Sequence, residues 1–86
     1  MLLDVREPHE FEFCHLEGSK LVPLGQLADR LDELSKERDI VVYCHTGVRS
    51  TKAVEFLRMN GFKSVRNLKG GIRSWSELVD PSVPTY

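Results

Sequence analysis

"IVVYCHTGVRSTKAVEFLRMNG", residues 40–61, decides the fold. Ile40 to Tyr43 is an uninterrupted β-prone apolar run, the pattern of a strand covered on both faces. From about Arg49 to Asn60, Ala53, Phe56, Leu57 and Met59 recur at helical spacing, and Gly61 supplies a left-handed stop. Between strand and helix lie Cys44, His45, Thr46, Gly47 and Val48. A cysteine at a strand tip, followed by cations and no acid, needs an explanation.

Outward from that stretch the same alternation repeats. Leu2 to Val5 reads as a short strand broken by Asp4, and "REPHEFEF", residues 6–13, as a turn with one helical turn. Leu21 and Val22, stopped by Pro23, read as a second strand. Residues 24–34 place Leu24, Leu27, Ala28, Leu31 and Leu34 on one helical face. "SVRNL", residues 64–68, reads as another strand. Gly70-Gly71 then turns into a helix carrying Ile72, Trp75, Leu78 and Val79, and residues 80–86, "DPSVPTY", form a Pro-broken tail. Strands alternating with amphipathic helices predict an α/β domain with a parallel sheet and right-handed crossovers. Ligands of such sheets bind beyond the carboxyl ends of the strands, where Cys44 stands.

Composition narrows the function. The chain has 86 residues, 41% hydrophobic and 29% charged, which predicts one small domain over residues 1–86 with a charged surface. A net charge of −1 gives no nucleic-acid footprint. No apolar run has the length of a membrane span, and the start lacks the pattern of a signal peptide. Two cysteines are too few for a disulfide scaffold and fit a reducing cytoplasm. Cys14 and Cys44, each next to a histidine, have no recognised metal-ligand spacing, so neither metal nor cofactor is expected. "MLLDVRE" opens directly on a strand, as expected of a domain cut near its start or taken from a longer polypeptide.

The loop carries the chemistry. If residues 45–49 curl into the helix start, their N–H groups form a bowl around Cys44 that favours an anion. Helix N-termini and nearby cations also lower a thiol pKa, and the thiolate is the nucleophile. Between residues 44 and 54 the charged side chains are Arg49 and Lys52, with His45 as a third potential cation. Gly47 opens a φ angle closed to other residues. The inert alternative makes Cys44 a small buried hydrophobe and Arg49 a solvated helix-start residue. Glycine, cation and missing acids together favour the functional reading.

Cys-x-x-Gly-x-Arg-Ser, residues 44–50, resembles the active loop of the rhodanese-like sulfurtransferases. "LLDVREPHEF" (2–11), "HLEGS" (15–19) and "LKGGIRSW" (68–75) resemble the family's other signature segments, in order. The similarity covers essentially the whole chain, without the short strand and helix that usually precede "LLDVR". It is strongest to the C-terminal rhodanese domain of adenylyltransferases that activate ubiquitin-like sulfur carriers, the molybdopterin and thiamine biosynthesis type. "CHTGVRS", "KAVEFLRMNGFKSVRNLKGGI" and "VDPSVPTY" carry that part of the likeness.

The resemblance implies a three-layer α/β fold with a parallel sheet of about four to five strands. Strands 2–5 and 40–44 would be neighbours in its middle. It further implies that Cys44 accepts a sulfane sulfur as a persulfide, from thiosulfate or a persulfide-bearing protein, and passes it to a nucleophile such as a sulfur carrier. His45, Thr46, Gly47, Val48, Arg49 and Ser50 would line the substrate site, with Arg49 recognising an anion. Asp4 and Arg6, at the end of the first strand, read from the residues themselves as shaping the loop by local hydrogen bonds, Arg6 pairing Glu7 or Glu17, with direct substrate contact as the alternative.

Two other classes compete. Some tyrosine phosphatases use a cysteine loop ending in arginine, with five residues between the two. Here there are four, and no aspartate stands out as a leaving-group acid. A catalytically silent binding module is the other alternative, and such members often lack the cysteine. Cys14 reads as a packed residue rather than a resolving thiol, His15 as structural and His9 as solvated. His45 either tunes the thiol or contacts the substrate.

Overall fold

A computed structural model describes residues 1–86. Four short parallel strands form its sheet: β1 (Leu2–Asp4), β2 (Ser19–Leu21), β3 (Ile40–Tyr43) and β4 (Val65–Asn67), in the order β2-β1-β3-β4. The helices are α1 (Pro8–Phe13), α2 (Val48–Met59) and α3 (Gly71–Leu78). The sheet lies between two layers of packing. Leu3, Val5, Val42 and Cys44 meet Ala53, Val54 and Leu57 of α2 in the larger cluster. Tyr43, one residue along and so on the opposite face, packs with Cys14, Leu16 and Ile72 in the smaller one. Burial of a side chain such as Leu57, which is 0% exposed, contributes roughly 1.5–3 kcal/mol.

The two central strands pair Leu3 with Val42 and Asp4 with Tyr43. From β1 the chain goes to one side of the sheet and then returns to the other, so the β1 and β3 tips flank a switch point. The predicted parallel sheet and its central pair are found. The second strand is Ser19–Leu21 rather than Leu21–Val22.

Residues 24–34 do not form one helix. They form two 3-10 segments, Leu24–Gln26 and Ala28–Glu33, the second broken at Arg30 (φ −119°, ψ 19°). Leu27 and Leu34 are buried and Leu24 and Leu31 half-buried against the core, but Ala28 is exposed. Leu24 to Leu27 and Leu31 to Leu34 are each three apart, the 3-10 repeat. The kink resets the phase between the two pairs. Met59, Leu78 and Val79, read as members of the helical repeats, are also exposed, at 86, 82 and 60%. Helical spacing alone did not show where each buried stripe ended.

Candidate active site

The loop from Cys44 to Ser50 crosses the carboxyl end of the sheet. Its start is pinned from below: the N–H groups of Ile72 and Arg73 donate to the carbonyls of Cys44 (2.9 Å) and His45 (3.1 Å). A side chain at Gly71 would collide with those two carbonyl oxygens, so only glycine permits the approach. At the other end Gly47, at φ 113°, turns the backbone into α2.

Cys44 is buried, 1% exposed, at the start of the loop. Gly47 N–H donates to Sγ at 3.0 Å, and Ser50 Oγ lies 3.4 Å away. Burial pushes the thiol pKa up, but the Ser50 hydroxyl and the N–H groups of Ser50, Gly47 and Arg49 outweigh it, leaving the pKa below its ordinary value. Ser50 itself, 0% exposed, carries one hydrogen among several acceptors. Its Oγ is 2.5 Å from Asn67 Oδ1 and 3.2 Å from the Gly47 carbonyl. A neutral Cys44 can donate to Ser50 while Ser50 donates to Asn67. Once the thiol ionises, turning the Ser50 hydrogen to Sγ stabilises the thiolate.

In space the loop is not acid-free. Glu10, from α1, accepts from Arg49 Nη1 at 2.6 Å and Nη2 at 2.9 Å. The bonded guanidinium holds the Glu10 carboxyl well below the usual carboxylate range, and Glu10 in turn raises Arg49. The tail also takes part. Tyr86 donates to Glu10 Oε2 at 2.7 Å, accepts from Arg6 Nη1 at 2.8 Å, and stacks on His45 with centroids 4.0 Å apart. Burial pushes the Tyr86 phenol up to about 12. His45 Nε2 is buried without a hydrogen-bond partner.

Arg6 pairs with neither Glu7 nor Glu17. Its partner is Asp4, two residues back at the β1 tip, with both side chains 0% exposed and Nη2 to Oδ2 at 2.7 Å. Arg6 Nη2 also donates to the Cys14 carbonyl at 2.6 Å. The pair therefore braces the segment that delivers Glu10. Cys14 is buried in the smaller cluster, apart from the cluster holding Cys44. His15 is exposed and stacks on Phe11, and His9 is exposed. Thr46 and Val48 are exposed. With Gly47, Lys52, Asn67 and Lys69 they line a groove of about 650 Å³ beside the loop.

Glu10, Tyr86 and Asn67 were missed in the sequence. Only Glu10 left a trace there, three residues after Glu7 and just past Pro8, where it closes a capping box with the Glu7 N–H.

A parallel sheet bearing an N–H-lined cysteine loop at its switch point defines a class of α/β protein, and comparison with known proteins identifies it. The chain belongs to the rhodanese-like family: the model of the rhodanese-like domain matches residues 1–78. It is 46% identical over 89 residues to the Rhodanese-like/PpiC domain-containing protein 12, chloroplastic, of Arabidopsis thaliana, covering 99% of this chain and 30% of that protein. It is 36% identical over 87 residues to the probable adenylyltransferase/sulfurtransferase MoeZ of Mycobacterium tuberculosis, covering 99% of this chain and 22% of that one. Among solved structures, a rhodanese-related protein from Thermoplasma volcanium superposes with TM-score 0.88 at 36% identity, covering 99% of this chain and 83% of that one. The chain thus spans less than a third of the length of those two curated relatives. No helix is long and apolar enough to cross a membrane.

Proposed function

We propose that the chain is a sulfurtransferase domain that carries sulfane sulfur on Cys44. The observation that carries this reading is one buried sulfur at the start of α2 that meets the Gly47 N–H at 3.0 Å and the Ser50 hydroxyl at 3.4 Å. In the first half-reaction the Cys44 thiolate attacks the outer sulfur of a donor. With thiosulfate the donor S–S bond breaks, its electron pair leaves as sulfite, and Cys44–S–S⁻ forms. In the second, a nucleophilic acceptor takes the outer sulfur and Cys44 returns as thiolate. The N–H groups are already aimed at the anion, so little reorganisation is needed. Similarity to MoeZ and to the putative sulfur carrier protein YrkF of Bacillus subtilis, 40% identical, supports a sulfur carrier or a fused adenylyltransferase as partner. A ubiquitin-like sulfur carrier in molybdopterin synthesis, met in the cytoplasm, is the specific form of this proposal. Residues 1–86 act as one domain in it.

The test is intact mass after incubation with thiosulfate or an alkyl hydropersulfide. A gain of one sulfur atom, removed by cyanide as thiocyanate, is expected. A folded protein that gains no sulfur from either donor rejects the reading.

The rate of loading should rise with pH as the thiolate forms, reaching half its maximum below the ordinary thiol value of ~8.5. The Ser50 hydroxyl favours the thiolate, so Ser50→Ala should move that midpoint upward, by about one pH unit for a hydrogen bond to a charged group. A midpoint that stays in place would mean that the hydroxyl hydrogen remains on Asn67 and the backbone alone stabilises the sulfur.

A further inference from the structure

Arg49 ends the loop where an anionic donor would meet it, yet two of its donors are already occupied by Glu10. A surface ion pair of this kind is ordinarily weak. This one is built differently. The Glu10 carboxylate accepts four hydrogen bonds: two from Arg49, one from the Tyr86 hydroxyl at 2.7 Å and one from the Glu7 N–H at 3.0 Å. The Glu10 side chain is 11% exposed and that of Arg49 34%. Tyr86 is held in turn by Arg6 and by stacking on His45. The carboxylate is therefore fixed from several directions, and the guanidinium with it.

We propose that Glu10 is a specificity-determining residue that holds Arg49 in a latch, selecting against small oxyanion donors and in favour of persulfide donors. The inference rests on the sulfurtransferase reading of Cys44. A thiosulfate ion brings a sulfonate that needs Arg49, and it must displace a carboxylate of its own sign to reach it. An alkyl or cysteinyl hydropersulfide carries its charge on the sulfur being transferred. The N–H groups of the loop receive that charge, and Arg49 is not required. Tyr86 tightens the latch by donating to the same carboxylate.

The experiment uses Glu10→Gln, which keeps the size of the side chain and its capping bond to Glu7 but withdraws the charge. Cys44 loading is followed by mass with thiosulfate and with 2-hydroxyethyl hydropersulfide. The ratio of the two rates should rise by about tenfold in favour of thiosulfate, through a lower KM. Tyr86→Phe should move the ratio the same way by less, and it serves if Glu10→Gln fails to fold. Glu12→Gln removes the same charge from the same helix without touching Arg49, so an equal gain there would reduce the effect to net charge and overturn the latch. A second readout needs no chemistry: sulfate binding to the Cys44→Ser protein should tighten about tenfold when Glu10→Gln is added. Tighter sulfate binding without sulfur loading in any variant supports the latch and rejects the sulfurtransferase reading. Normal loading with an unchanged donor ratio and unchanged sulfate binding rejects the latch alone.

Discussion

Cys44→Ser should keep the fold and abolish sulfur loading. The side chain is buried among core residues, and serine is close to cysteine in size. A serine Oγ can accept the Gly47 N–H that now bonds Sγ at 3.0 Å, so no buried donor is orphaned. Chemistry is where the two differ. The loop holds the Cys44 thiol below its ordinary value and so favours the thiolate, whereas a serine hydroxyl stays protonated and is a far weaker nucleophile. The measurement pairs intact mass after donor treatment with circular dichroism on the same sample. A folded Cys44→Ser protein that still gains one cyanide-removable sulfur would place the carrier elsewhere, and Cys14 is the thiol left to test. Cys14→Ser should itself load normally, because Cys14 packs with Leu16, Tyr43 and Ile72 rather than facing the loop.

The cysteine loop was legible in the sequence because it is local. Its donors to the sulfur, the Gly47 N–H and the Ser50 hydroxyl, lie within six residues of Cys44, and their placement depends on Gly47 and on the start of α2. The central strand was legible for a related reason: a run of apolar β-branched residues has few other uses in a small domain. What surrounds the loop was not. Glu10 is 39 residues from Arg49, and Tyr86 is 76 from Glu10. Single polar contacts between distant segments leave no periodicity, and only the topology brings them together. Arg6 shows the converse difficulty. Its partner stands two residues away, but residues i and i+2 of an extended strand share a face only while the strand continues. The side chain of Asp4 reaches the backbone N–H of Arg6 at 2.9 Å as well as its guanidinium. That turn is a property of the bend after β1, for which "DVRE" carries no separate signal.

The bend also makes the Asp4–Arg6 pair costly to break from one side. Asp4 Oδ1 accepts Arg6 N at 2.9 Å and Nε at 3.0 Å, while Oδ2 accepts Nε at 3.1 Å and Nη2 at 2.7 Å. Arg6 then reaches the Cys14 carbonyl at the end of α1 and the Tyr86 hydroxyl in the tail. Asp4→Ala leaves the guanidinium buried with its countercharge gone. Removing one partner of such a pair costs about 3–5 kcal/mol. A domain of this length has a total stability of roughly 4–13 kcal/mol, so the loss is a large fraction of it. The urea midpoint should fall accordingly, with little change in slope. A drop under ~1 kcal/mol would mean that water reaches Arg6 and that the burial is not maintained in solution. The double variant Asp4→Leu with Arg6→Met should recover part of the loss, since an apolar pair carries no ionic desolvation penalty, although the N–H of residue 6 and the Cys14 carbonyl lose their partners. Recovery of stability should not restore the donor selectivity. Arg6 positions Tyr86, Tyr86 bonds Glu10, and Glu10 holds Arg49, so a stable double variant is expected to show the raised thiosulfate preference of Tyr86→Phe. Unaltered selectivity in that protein would show that Glu10 holds Arg49 without support from the buried pair.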